Sequence, residues 1–274
     1  MSILDFLYKT KTGRILLKPL TLKPLSDMMG AFMDSGVSAI FIKPFARKNG
    51  IRMEDYILDD IRSFNDFFCR RIKSGLRPIS PDEDTVIAPC DGLLKVSRIT
   101  NRTVLNVKQS RFSIRTLLRD KKLADSLEGG YCLVYRLCVN HYHRYVYFTD
   151  GFKLPDRKIN GFYHTVRPVA LEEIPVFTEN SRQYSVIDSD KLGKCVQMEV
   201  GAMMVGRIAN EKHSAGRVIR GMEKGHFEFG GSTIIVLIPK GKFNPRADIL
   251  ENSRKGIETS VKLGEAVGKH IQNN

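Results

Sequence analysis

The sequence predicts an α+β protein, with a helical N-terminal region followed by a β-rich domain of antiparallel or mixed sheets. Three observations carry that expectation. Apolar residues before position 75 recur at helical spacing, whereas from about Val86 onward they gather in short runs separated by glycine. Between the two textures, Arg77-Pro78-Ile79-Ser80-Pro81 interrupts every period. With 274 residues, 42% of them apolar, and no low-complexity tract, the chain can bury a full core. That core belongs either to one large domain or to a small domain packed on a large one.

Met28, Met29, Phe32 and Met33, then Ile40, Phe41 and Phe45, follow a 3.6-residue period, and strand-like alternation is scarce there. Residues 1–80 are therefore assigned to a helical region and residues 81–274 to the β-rich domain. In the second part, Leu93-Leu94-Lys95-Val96, Cys132-Leu133-Val134-Tyr135 and Arg144-Tyr145-Val146-Tyr147-Phe148 are strand candidates. The stretches from Val196 to Ile208 and from Ser232 to Ile238 continue the series, and Ile257 to Ile271 adds a short strand or helix. No internal repeat is visible.

Lysines and arginines outnumber aspartates and glutamates 44 to 30, a net charge of +14 that implies an anionic partner. Residues 1–50 carry eight basic against three acidic side chains, interleaved with Phe6, Leu7, Ile15, Leu16, Leu17, Leu20 and Phe32. That mixture suits a segment lying on an anionic lipid surface, which makes residues 1–80 a candidate membrane-associating region. A solvated basic surface is the plainer alternative. No helix-turn-helix, zinc finger or aromatic RNA-binding signature supports a nucleic-acid partner. The apolar runs are far too short to span a bilayer, and the N-terminus lacks the apolar stretch of a signal peptide. Cys69, Cys90, Cys132, Cys138 and Cys195 form no CxxC pair and no zinc spacing. Reduced thiols in a cytosolic setting are expected, with no metal, and Cys132 and Cys138 are expected in the core.

Phe229-Gly230-Gly231-Ser232-Thr233 leads into the apolar run Ile234-Ile235-Val236-Leu237-Ile238. Two glycines there either make a hairpin or bulge ahead of a core strand, or twist a peptide carbonyl toward the neighbouring hydroxyl. In the second case Ser232 attacks the carbonyl of Gly231. Four further segments stand out. Ser63-Phe64-Asn65-Asp66-Phe67-Phe68 has phenylalanines at helical spacing, which fits core packing. Ala88-Pro89-Cys90-Asp91-Gly92 sets Asp91 in a tight turn. Asn140-His141-Tyr142-His143-Arg144 puts His141, His143 and Tyr145 on one strand face by a two-residue period. Val200-Gly201-Ala202-Met203-Met204-Val205-Gly206 is a glycine-punctuated strand. An aspartate, a histidine and a glycine-presented serine are the ingredients of nucleophile activation. The histidine takes the serine proton; the aspartate fixes its tautomer and stabilises the cation formed.

Together these motifs resemble the phosphatidylserine decarboxylase proenzyme family of the bacterial type, whose members are pyruvoyl enzymes. The similar run begins near Ser63 as SFNDFF…R…RPI and continues through APCDG, HYHR, EVGAMMVG and KGHFEFGGST. It ends in GIETSVKLGEAVG at 256–268. The resemblance implies self-cleavage between Gly231 and Ser232, into a β chain of residues 1–231 and an α chain of residues 232–274 that stay packed together. It implies that Ser232 becomes a covalent pyruvoyl cofactor, which condenses with the amine of phosphatidylserine as a Schiff base. Loss of carbon dioxide then gives phosphatidylethanolamine. On this resemblance His143 is the candidate for proton transfer near the pyruvoyl, and Asp91 supports the base that activates Ser232. The family pattern D-Y-H-R-x-H is altered here: His141 stands at its first position and Val146, which accepts no proton, at its last. Either His143 serves both steps, or His164, in Phe162-Tyr163-His164-Thr165-Val166, takes one of them; His141 is the third candidate. The implied setting is peripheral, on the cytoplasmic side of the cell membrane. The implied partners are phosphatidylserine, an anionic membrane surface and further copies of the chain in a homo-oligomer. Two other readings stand beside it: a non-cleaving paralogue that binds anionic phospholipid, and a pyruvoyl decarboxylase of a soluble amino acid.

Overall fold

The computed structural model describes residues 3–100, 113–165, 168–201, 207–229 and 232–271. Its N-terminal part is helical, as the spacing predicts: α1 (Ile3–Lys9), α2 (Lys11–Leu20), α3 (Lys23–Asp34), a 3-10 turn at Gly36–Phe41, and α4 (Ile42–Lys48). Thr10 caps α2 by accepting the Gly13 N–H at 2.9 Å, and α3 carries Pro24 in its first turn, where a missing N–H leaves no bond unmade. Pro24–Asp34 and Gly36–Lys48 meet at 78°, and among the described residues no single helix is long and apolar enough to cross a membrane. The region is not helical throughout. A 3-10 turn at Met53–Asp55 leads into β1 (Tyr56–Ile57), which pairs with β2 (Arg71–Ile72) around α5 (Phe64–Phe68). A capping box starts α5: Ser63 Oγ accepts the Asp66 N–H, and the Asp66 carboxylate accepts the Ser63 N–H.

Strands dominate from Thr85 onward. In chain order they are β3 (Thr85–Ile87), β4 (Gly92–Arg98), then α6 (Ile114–Leu118) and α7 (Lys121–Ser126), β5 (Tyr131–Leu137), β6 (Arg144–Val146), β7 (Gly151–Lys153) and β8 (Arg157–Ile159). After α8 (Pro168–Glu173) and α9 (Val176–Glu179) come β9 (Arg182–Ser189), β10 (Gly193–Val200), β11 (Ile208–Asn210), β12 (Gly216–Val218), β13 (Glu223–Phe227) and β14 (Ser232–Ile238). β15 (Phe243–Pro245), α10 (Ala247–Arg254), β16 (Thr259–Val261) and β17 (Ala266–His270) complete the chain, so the stretch from Ile257 to Ile271 forms two short strands. One nine-stranded sheet runs β12-β7-β9-β10-β14-β5-β4-β16, with β8 beside β9; β11-β13-β6 and β15-β17-β3 make two small sheets. The ladders of the large sheet are antiparallel.

β14 lies near the middle of the large sheet and is buried on both faces. Ile234, Val236 and Ile238 pack with Val86, Tyr145, Phe227 and Val267 of the small sheets. Ile235 and Leu237 point the other way, onto Tyr8, Leu117, Val176 and Phe177 of the helices. The two-residue period of a strand makes this division, and an unbroken apolar run is what a sheet covered on both faces requires. Each such side chain stabilises the fold by about 1.5–3 kcal/mol. Cys132 is buried in this core, but Cys138 is only half-buried, and its sulfur accepts a bond from Arg136 Nη1 at the rim.

Candidate active site

Ser232 opens β14 opposite Leu137, the last residue of β5. Leu93 of β4 pairs with Arg136, so Gly92 lies beside Leu137 in the same row. Neighbouring strands are about 4.8 Å apart, which sets Ser232 and Gly92 roughly 10 Å from each other across β5. Asp91 immediately precedes Gly92, and the turn carrying His141 and His143 continues from Leu137. Antiparallel pairing of three adjacent strands thus delivers the serine, the aspartate and two histidines to one end of one sheet. Gly230, Gly231 and residues 202–206 of the glycine-punctuated segment lie outside the described residues.

Ser232 is fully buried, and its Oγ has no hydrogen-bond partner among the described residues. His143 is equally buried. Its Nδ1 donates to the His141 carbonyl at 2.9 Å, so Nε2 carries the lone pair, and Nε2 is likewise unpartnered. The Phe68 ring lies on the imidazole with 4.0 Å between centroids. Burial, then the nearby Arg70 guanidinium, lowers the His143 pKa to about 3, which keeps the ring a neutral acceptor. His141 has the opposite tautomer: its Nδ1 accepts the Cys138 N–H at 3.1 Å, leaving the proton on Nε2. Burial lowers its pKa, while Asp91 opposes that shift. His141, His143 and Tyr145 do not share a strand face. The His141 side chain bonds the backbone three residues back and holds the segment in a turn, so β6 begins only at Arg144.

Asp91 is gripped from outside the sheet. Arg77 donates through Nε to Oδ1 at 2.7 Å and through Nη2 to Oδ2 at 2.5 Å, and the Leu263 N–H adds a bond to Oδ1 at 2.9 Å. Such a two-pronged pair holds the carboxylate in one orientation. Its charge acts on His141, opposing the fall in that ring's pKa that burial brings. His164 lies on the helix-covered face, and Asn180 Nδ2 donates both to its carbonyl and to that of Gly201, the residue opposite Ser232 in the β10–β14 register. The His164 Nδ1 meets the Tyr8 hydroxyl at 3.4 Å, its Nε2 lies 3.6 Å from Glu179, and burial lowers its pKa to about 4. Val146, at the altered family position, is a core residue of β6.

Two sequence motifs meet where the sequence alone gives no sign of it. Lys224 of β13 places Nζ 2.6 Å from both carboxylate oxygens of Glu199 in β10, and neither side chain reaches solvent. The pair ties together the strands that lead into residues 201–206 and 228–231. On the other side α5 backs the same strand: Asn65 Oδ1 accepts the Phe229 N–H at 2.9 Å, and Phe229 packs edge-on against Phe64 and Phe68. Phe64, Phe67 and Phe68 are core, as their spacing predicts. A half-open cavity of about 340 Å3 over this junction is lined by Asn65, Cys69, Arg70, Arg71, Arg144 and His226 among others. Glu211, Glu223 and His226 bring three ligand-type atoms within 4.8 Å of one another, but Glu223 is already paired with Arg71 and Arg144. Asn65, Arg77, Glu199 and Lys224 are the residues that motif reading passed over. Their signal was weak, because each is a common polar type inside a quoted motif, and pairing across the fold gives them their role.

A family model described as phosphatidylserine decarboxylase matches residues 64–269. The chain is 40% identical over 267 residues to phosphatidylserine decarboxylase proenzyme 2 of Clostridium acetobutylicum, covering 97% of this chain and 91% of that one. It is 37% identical to the phosphatidylserine decarboxylase proenzyme of Clostridium tetani, covering 98% and 92%, and 38% identical to that of Ruminiclostridium cellulolyticum, covering 98% and 91%.

Proposed function

The chain belongs to the phosphatidylserine decarboxylase family and is a decarboxylase; from that premise we propose that it cuts itself between Gly231 and Ser232 and uses the pyruvoyl group so formed to convert phosphatidylserine to phosphatidylethanolamine. One observation carries the reading: among the described residues, the buried Ser232 Oγ has no acceptor and the buried His143 Nε2 no donor, and both lie at the same end of the sheet. Buried polar atoms are usually hydrogen-bonded, so two unpaired ones at one end of one sheet call for an explanation. An unengaged, enclosed serine at the head of a central strand also suits a residue that is itself to be converted.

In this reading His143 Nε2 takes the Ser232 hydroxyl proton as the oxygen attacks the Gly231 carbonyl carbon. The new C–O bond forms, the Gly231–Ser232 C–N bond breaks, and the freed Ser232 nitrogen takes up the proton. Removal of the Ser232 α-proton expels the ester oxygen as the Gly231 carboxylate and leaves a dehydroalanine. Water replaces its nitrogen, which departs as ammonia. The pyruvoyl group supplies an electron sink for the bond electrons left behind by carbon dioxide. His141, whose Nε2 carries the proton and which Asp91 supports, donates that proton to the substrate carbon and regains one from water.

The lipid is reached by peripheral docking on the anionic cytoplasmic leaflet. Ile15, Leu16, Met28, Val37 and Ile40 are exposed on the N-terminal helices, beside a surplus of lysine and arginine. Each basic residue near such a surface contributes roughly 1 kcal/mol. The mixed basic and acidic lining of the cavity over α5 suits a head group that carries an ammonium beside its phosphate and carboxylate. Intact mass spectrometry of the purified protein beside Ser232→Ala tests the whole reading. Two chains are expected from the wild type, the smaller lighter by one ammonia than a serine-started peptide, and one chain from the variant. A single full-length chain in both would leave the non-cleaving, lipid-binding paralogue as the better account.

A further inference from the structure

We propose that Asn65 is a positioning residue for self-cleavage, holding the strand that presents the scissile peptide; the inference rests on the maturation proposed above. The backbone just before the cut is anchored group by group. The Phe227 N–H donates to the His143 carbonyl at 3.0 Å, and the Glu228 N–H to the Arg207 carbonyl at 3.1 Å. Cys69 Sγ donates to the Phe227 carbonyl at 3.4 Å. Last comes the Phe229 N–H, held by Asn65 Oδ1 at 2.9 Å. The next fixed point is Ser232, in register with Leu137. Two glycines alone join these anchors, and glycine imposes little direction of its own. The hold on Phe229 therefore sets one end of that short link, and a small drift of this end depletes the attacking geometry the cut requires.

The position demands an amide. Asn65 accepts from Phe229 while its Nδ2 donates to Asp34 Oδ1 at 2.7 Å and to Glu228 Oε2 at 3.1 Å. That pattern fixes which end of the amide is oxygen. Arg207 bridges Asp34 and Glu228 and closes the ring of bonds. Alanine leaves the Phe229 N–H without its partner. Aspartate keeps the acceptor but sets a third carboxylate against Asp34 and Glu228. Changing Glu228 to glutamine at the same time returns an amide donor opposite the new carboxylate.

The test follows cleavage of freshly synthesised precursor by intact mass, for the wild type, Asn65→Ala, Asn65→Asp and the double variant Asn65→Asp/Glu228→Gln. Parallel samples receive hydroxylamine, which cuts an accumulated ester. Asn65→Ala and Asn65→Asp are expected to slow cleavage about tenfold or more. Hydroxylamine is expected to give no extra cut, because the slowed step precedes the ester. The double variant is expected to recover most of the rate. Melting temperatures of the same changes in a Ser232→Ala background separate position from folding. Wild-type speed in Asn65→Ala, an ester that hydroxylamine cuts, no recovery in the double variant, or a rate that follows melting temperature across all three would each overturn the proposal. A wild-type chain that stays whole overturns the maturation as well; a wild type that cuts beside an equally fast Asn65→Ala overturns this inference alone.

Discussion

His143 and His141 stand two residues apart, yet the backbone gives them opposite tautomers. His143 donates through Nδ1 to a carbonyl and keeps a bare Nε2; His141 accepts an N–H at Nδ1 and carries its proton on Nε2. An acceptor suits removal of the Ser232 proton, and a donor suits delivery of one to the substrate. His143→Ala is therefore expected to remain uncut. His141→Ala is expected to mature, with turnover reduced about a hundredfold or more. Intact mass and carbon dioxide release per pyruvoyl group check the two halves, and a cut His143→Ala chain would move the base elsewhere. The sequence marks Ser232 and Asp91 as candidates because glycine-rich motifs frame them, and the structure sets both at one end of the large sheet. The division between the histidines was not, because it depends on which backbone group each ring meets after the turn has formed. The same turn defeats the two-residue period that would have put both on one strand face.

Among the elements, the N-terminal helices follow their 3.6-residue spacing, but spacing does not say which side of an apolar stripe is covered. Met33 is buried beneath Phe64 and Phe68, whereas Met28 and, in the following 3-10 turn, Val37 and Ile40 face outward, each more than half exposed. Outward apolar side chains on a basic segment predict a measurable surface affinity. Val37→Asp/Ile40→Asp is expected to weaken cosedimentation with phosphatidylglycerol vesicles at low salt by tenfold or more, with melting temperature unchanged. Equal binding by variant and wild type would place the lipid contact on another face. The long strands β4, β5, β10 and β14 were legible as apolar runs, β14 above all; β9, as long as β10, was not, because polar residues interrupt its Arg182–Ser189 sequence. The two-residue strands β1 and β2 and the one-turn helices α6 and α9 were not, because they are too short to complete a period and owe their form to what they pack against.

For the whole molecule, several histidines held neutral by burial tie stability to pH. His143 is lowered to about 3, and His164 and His226 to about 4, against an ordinary value of 6.5. Above pH 6.5 folded and unfolded chains both hold these rings neutral; as pH falls toward the folded values, the unfolded chain takes up protons first and stability is lost. For His143 the slope approaches about 1.4 kcal/mol per pH unit. The carboxyls that burial raises, Glu179, Glu199 and Glu228, oppose the trend. Urea midpoints of Ser232→Ala at pH 7.5, 6.5 and 5.5 are expected to fall with pH; a flat or rising series would mean that the raised carboxyls outweigh the neutral rings. The central place of β14 has a separate consequence. It is hydrogen-bonded to β10 on one side and β5 on the other, and β17 likewise joins β3. A cut before Ser232 therefore leaves a 43-residue fragment threaded through strands of the other chain. Before the cut, folding is a first-order event with both parts on one tether. Afterwards, recovery from denaturant is a second-order encounter between two partners, dependent on their concentration. Under the proposed self-cleavage the cut would act as a ratchet: the chain would fold once as a one-piece precursor, and the two-chain form would no longer have that route back.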